Sequence, residues 1–338
     1  MKEKKGFTSL FPVLISGALF LAVAVLFFCA STGIIRAEHE GKPQYGQWHQ
    51  ITDSTLDTVA LKERVYDRRS FLTIPLPDGV GEEDIRIEDD YLNQCIRIKI
   101  PGCSESFFQY NYFSGDMTHI QNIRLDEEEG IVLNLEGIYA PEAIYEPGRL
   151  FIRAVKARDL YDRIVVIDAG HGGEDEGSAA YGIREKDITF QTAAFLETEL
   201  SERGIKVYHT HTAEYGPTEE ERATLIEGVD PDLIIGLHTD ADGNTRTTVG
   251  ERVVTRPGLE DKAERLLSAL TDYSGRKNLG VSTEKAKGLF GITEKPLYAV
   301  RLGFITNRAE AELMGSADFQ RGAAEALAGA VSEIITAE

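Results

Sequence analysis

The run Arg163-Ile164-Val165-Val166-Ile167-Asp168 is apolar nearly throughout. That pattern suits a strand buried on both faces, as parallel sheets require. The run leads straight into Ala169-Gly170-His171-Gly172-Gly173, where glycines let the backbone turn sharply and leave room for a ligand beside His171. Helical and strand patterns alternate from there on. A helix is expected from Asp187 to Arg203, with Ala193, Leu196 and Leu200 on one face and Gly204 as its stop. A strand (205–209), a helix (218–227) and a strand (233–237) follow. The second helix opens on Thr218-Glu219-Glu220-Glu221, which has the form of a capping box. Further strands are expected at 251–255 and 297–302, and further helices at 259–273 and 318–335. Residues 159–338 therefore read as an α/β domain, with a mostly parallel sheet and helices on both faces.

In open α/β sheets the ligand site lies beyond the carboxyl ends of the strands. His171 follows the first strand of this domain. Glu185, in Gly182-Ile183-Arg184-Glu185-Lys186-Asp187, stands at the start of the first helix. The third strand ends Gly236-Leu237-His238-Thr239-Asp240. All three segments should meet at one sheet edge. Two histidines and a carboxylate make a zinc site of the catalytic kind, with three protein ligands and a position open to water.

Taken in order, these motifs resemble the zinc-dependent N-acetylmuramoyl-L-alanine amidases of the type-3 catalytic family. That family has a strand ending D-x-GHGG, a G-x-x-EKD at the first helix, a strand ending S-x-H-x-N and a last strand P-x-x-L-V-E-x-G-F-x-S-N. Here they appear as Asp168 to Gly173, Gly182 to Asp187, Gly236 to Asp240 and Pro296 to Asn307. Arg222 falls where the family has an arginine in its second helix. The resemblance implies that His171, Glu185 and His238 bind zinc. It also implies hydrolysis of the amide joining N-acetylmuramic acid to the L-alanine of the peptidoglycan stem peptide.

One position departs from the pattern. The family's last-strand glutamate, which exchanges protons with the water and the leaving amine, is replaced by Arg301. Arginine stays protonated and cannot serve as a base, although it can stabilise a negatively charged oxygen. Glu174, Asp175, Glu176, Asp240, Asp242 and Glu294 are the acids that sequence offers as substitutes. The alternative reading is a degenerate amidase that binds peptidoglycan or a partner without cutting. His209 and His211 form an H-x-H like the ligand pair of M23-type endopeptidases, but the upstream H-x-x-x-D of that family is absent. They read as solvent-facing loop histidines.

The rest of the chain frames this domain. No charged residue occurs from Phe7 to Ile35, and Lys2, Lys4 and Lys5 precede the run. About 20 apolar residues cross a bilayer as a helix. The lysines place the N-terminus in the cytoplasm and the rest outside. Residues 1–37 thus read as an uncleaved transmembrane anchor and 38–66 as a linker. Residues 67–158 carry short strand-like runs, such as Ile96 to Ile100, broken by Pro77-Asp78-Gly79 and Pro101-Gly102. They predict a small antiparallel β-sandwich. By placement and strand pattern it resembles the modules that precede amidase domains in some cell-wall hydrolases. Tyr110, Tyr112 and Phe113 are expected in its core, with a sugar-binding face as the other reading. Cys95 and Cys103 are either a disulfide or two free thiols. The formal net charge of −20 argues against a nucleic-acid partner, because phosphate binding needs a basic surface.

Overall fold

The structure, a computed structural model, describes residues 68–212, 215–243 and 246–337. The expected anchor and linker lie outside the described residues. Among the described residues, no helix is long and apolar enough to cross a membrane.

Residues 72–155 form the sandwich, as their alternating pattern requires. Its strands are β1 (Leu72–Pro75), β2 (Arg86–Asp90), β3 (Cys95–Lys99), β4 (Ser114–Gly115), β5 (Ile120–Asp126), β6 (Gly130–Leu135), β7 (Ala140–Glu146) and β8 (Arg149–Val155). They make two four-stranded antiparallel sheets, ordered β4-β1-β8-β7 and β2-β3-β6-β5. Leu72, Ile74 and Ile152 of one sheet share a core with Ile96, Ile98 and Leu133 of the other. A single helical turn, α1 (Glu105–Phe108), sits between β3 and β4. The aromatic cluster beside it divides. Phe113 stacks on Phe108 at 4.5 Å, but Tyr110 and Tyr112 are 81% and 75% exposed, so they are not core residues. Cys95 and Cys103 are free thiols.

After a second turn, α2 (Ala157–Leu160), the α/β domain begins. Its strands are β9 (Ile164–Ala169), the short hairpin β10 (Ala179–Ala180) and β11 (Ile183–Arg184), β12 (Lys206–His209), β13 (Leu233–Asp240), β14 (Glu251–Thr255), β15 (Asn278–Thr283) and β16 (Leu297–Phe304). The helices are α3 (Glu185–Glu202), α4 (Glu219–Val229), α5 (Glu260–Ser274), the short α6 (Leu289–Ile292), α7 (Arg308–Met314) and α8 (Ala317–Thr336). Every residue of β9 is buried. Helices α3, α5 and α8 share a core on one face of the sheet. On the other face α4 and α6 pack together with Tyr91, Ile138 and Tyr161.

The sheet is mixed, not mostly parallel. Its order is β12-β9-β13-β16-β14-β15. Strands β12, β9, β13 and β16 run parallel, whereas β14 is antiparallel to β16 and carries β15 with it. The cause is visible in the chain. Parallel return needs a crossover of a dozen or more residues, usually a helix. The 241–250 connection is too short for one. Strand β14 therefore starts at the edge where β13 ends.

Candidate metal centre and cleft

The fully buried β9 delivers Asp168 and then the His171 loop to the carboxyl edge of the sheet. Arg222 of α4 holds that loop. Its guanidinium donates to Asp168 Oδ1 at 2.6 Å, to the Ala169 carbonyl at 3.0 Å and to the His171 carbonyl at 2.8 Å. His171 itself has φ 69°, the left-handed region that a residue with a side chain rarely adopts. Such strain persists only where surrounding bonds over-determine it, and here Arg222 and the Gly172–Asp175 backbone pair do so. Glycine is required twice. A Cβ on Gly170 would strike the His238 ring, and one on Gly177 would lie 2.5 Å from the His171 ring.

His171, Glu185 and His238 converge as the sequence predicts. One ligand atom from each lies within 4.8 Å of the others. His171 Nε2 is 3.3 Å from Glu185 Oε2, and His238 Nδ1 is 3.6 Å from Glu185 Oε1. The Glu185 carboxylate is 2% exposed and also accepts the backbone N–H groups of Ser178 and Thr239. Burial works to raise its pKa, but hydrogen bonds from His171, His238 and Thr239 outweigh burial and hold it well below the usual range. The bond to Glu185, joined by one to Asp175, raises His171 to about 9 against the effect of burial. Asp175 Oδ2 sits 2.8 Å from His171 Nδ1 and fixes which ring nitrogen faces inward, as partners of ligating histidines do. Two imidazoles around a buried carboxylate, which among the described residues is in no ion pair with Lys or Arg, are donors of the kind that a divalent cation takes.

A cleft of about 770 Å³ opens from this centre. Its floor is the sheet. His238, Arg301 and Arg252 are direct cross-strand partners on β13, β16 and β14, so they stand abreast on one face. The row beneath is Gly236, Ala299 and Val254. Arg252 forms a two-pronged pair with Asp240 at 2.7 and 2.8 Å. Arg301 donates from Nη1 to the Thr239 carbonyl at 3.3 Å, while its buried Nε has no partner among the described residues. Burial lowers its pKa, with Asp240 and Glu185 acting in the opposite sense.

Of the acids suggested by sequence, only Asp175 lines the cleft. Glu176 binds Arg184, Asp240 holds Arg252, and Glu294 is an exposed partner of Arg256. Sequence reasoning passed over Glu219, which lines the cleft at the start of α4. The cleft walls desolvate its carboxyl and raise its pKa; Asp168 adds to this, against Arg222 and His238. His209 and His211 are not solvent-facing: they are 2% and 3% exposed. His209 Nε2 pairs with Glu197 at 3.1 Å. Burial, then the charge of Arg222, lowers His211 to about 4.

The profile of the N-acetylmuramoyl-L-alanine amidase family matches residues 165–333. The chain is 29% identical over 181 residues to the uncharacterized protein YqiI of Bacillus subtilis, covering 52% of this chain and 85% of that one. It is 27% identical over 180 residues to the germination-specific N-acetylmuramoyl-L-alanine amidase of the same organism, covering 48% and 75%. Among solved structures, AmiC2 amidase of Nostoc punctiforme aligns with a TM-score of 0.50 at 23% identity, covering 52% of this chain and 97% of that one, which shows a shared fold.

Proposed function

The chain belongs to the N-acetylmuramoyl-L-alanine amidase family, and from that we propose that it hydrolyses peptidoglycan at the amide between N-acetylmuramic acid and L-alanine. We propose that it uses one zinc ion held by His171, Glu185 and His238. The observation that carries this is the convergence of two imidazoles and a buried carboxylate within 4.8 Å. Zinc, when bound, supplies a Lewis acid for the carbonyl and lowers the pKa of water.

The residues divide the remaining work. Asp175 and the Arg222-braced loop orient His171. Arg301 stands where the family's acid–base glutamate is expected and cannot take a proton. Glu219 takes that role. It removes a proton from the attacking water and returns it to the alanine nitrogen as the C–N bond breaks. Its raised pKa is the direction such a group needs. Incubating the full-length chain with peptidoglycan should release new N-terminal alanine, and a zinc chelator should abolish the release. Peptidoglycan that is bound but left uncut, with zinc present, would instead support the non-cutting binding module.

The uncharged run from Phe7 to Ile35 behind three lysines supports a single-pass anchor with the catalytic domain outside the cytoplasm. Protease added to intact spheroplasts should digest the domain. Protection of the domain would overturn that topology.

A further inference from the structure

We propose that Arg301 and Arg252 form a carboxylate-binding subsite beside the metal centre, selecting stem peptides whose second residue carries a free α-carboxylate over those in which it is an amide. The inference rests on the amidase reading only for the direction in which the substrate lies.

Three observations support it. The first is the row across the sheet. Arg301 is the cross-strand partner of the ligand His238, and Arg252 is the next partner along. Neighbouring strands lie about 4.8 Å apart, so the guanidinium stems rise one and two strand spacings from the metal ligand. An extended peptide advances about 3.3–3.6 Å per residue. A carboxylate two residues beyond the scissile carbonyl therefore falls about 7 Å away, between the two arginines.

The second observation is charge. The Arg252 cation is already matched by Asp240, bound through both carboxylate oxygens. Arg301 has no such acid. Among the described residues its one hydrogen bond is to a carbonyl, and its buried Nε has no partner. A guanidinium in that state gains from an incoming carboxylate, which it can bind through two parallel N–H groups. Lys287 also lines the cleft, as do the acids Asp168, Asp175, Glu219 and Glu284, so an incoming carboxylate is drawn to the arginine row and not to the cleft as a whole. The third observation is the floor. Gly236, Ala299 and Val254 form the row beneath. They offer an amide substituent no hydrogen-bonding side chain there, so discrimination falls to the arginine row.

The test is equilibrium binding of two dipeptides to the zinc-loaded full-length chain: L-alanyl-D-glutamate and L-alanyl-D-isoglutamine. They differ only in the α-carboxylate. The free acid should bind roughly tenfold tighter or better. The preference should weaken in 0.5 M salt. It should shrink to about twofold in Arg301→Gln, and Arg301→Lys should recover part of it. Equal affinity in the wild type, no binding of either dipeptide, or an undiminished preference in Arg301→Gln would each overturn the subsite. Muramoyl derivatives of the same two dipeptides separate the two proposals. If neither is cut while the binding preference persists, the amidase reading fails and the subsite stands. If both are cut equally well and both dipeptides bind equally, the subsite fails and the amidase reading stands.

Discussion

Single side chains set the chemistry here, and each can be removed alone. His171→Ala should strip most of the zinc by elemental analysis, since one of three ligands is lost. Unchanged metal content would refute the ligand assignment. Glu219→Gln should retain the metal and lower kcat by roughly 10²–10⁴-fold with little change in KM, the size expected for a positioned acid–base group. An active Glu219→Gln enzyme would mean that another carboxylate does the work. His211 gives a pH dependence. Its folded pKa is about 4, pushed down from the ordinary histidine range by burial and by Arg222. As pH falls from about 6.5 towards 4, the unfolded chain takes up a proton that the folded chain refuses, so stability falls. Thermal midpoints at pH 7 and pH 4.5 should therefore drop further for the wild type than for His211→Gln.

The elements matter through what they hold in place. The buried Arg222–Asp168 pair joins α4 to β9 and braces the His171 loop. Arg222→Met would leave Asp168 buried and unpaired, a loss of about 3–5 kcal/mol. Adding Asp168→Asn should recover part of that loss in denaturant unfolding; no recovery would mean that the loop contacts dominate. The meeting of the His171, Glu185 and His238 segments was legible because each follows a strand, ends one or opens a helix, and strand ends in such sheets gather at one edge. The direction of β14 was less legible. Its five residues read as a strand either way, and only the shortness of the connection from 241 to 250, too few residues for a crossover, marks it as running back. Glu219 escaped notice because an acid in the first turn of a helix is already explained by the helix dipole. Nothing local says that it faces a cleft. His209 and His211 were misread because an H-x-H closing a strand was expected to turn out to solvent, whereas both side chains are enclosed.

At the scale of the whole molecule, the sandwich and the α/β domain belong to one compact unit. Tyr91 of the sandwich accepts the His209 N–H at 2.9 Å and donates to the His209 carbonyl at 3.4 Å. Its ring meets Tyr208 edge-on at 4.8 Å. His209 ends β12, and β12 is an outer strand of the sheet. One phenol hydroxyl thus occupies both backbone groups at the end of a strand that would otherwise offer them to a second chain. Exposed strand edges are templates for aggregation. The sandwich therefore acts as a built-in guard on the hydrolase sheet, whatever else it binds. A chain beginning at residue 159 should form oligomers by light scattering even where its zinc site is intact, and Tyr91→Phe in the full chain should move partway in the same direction.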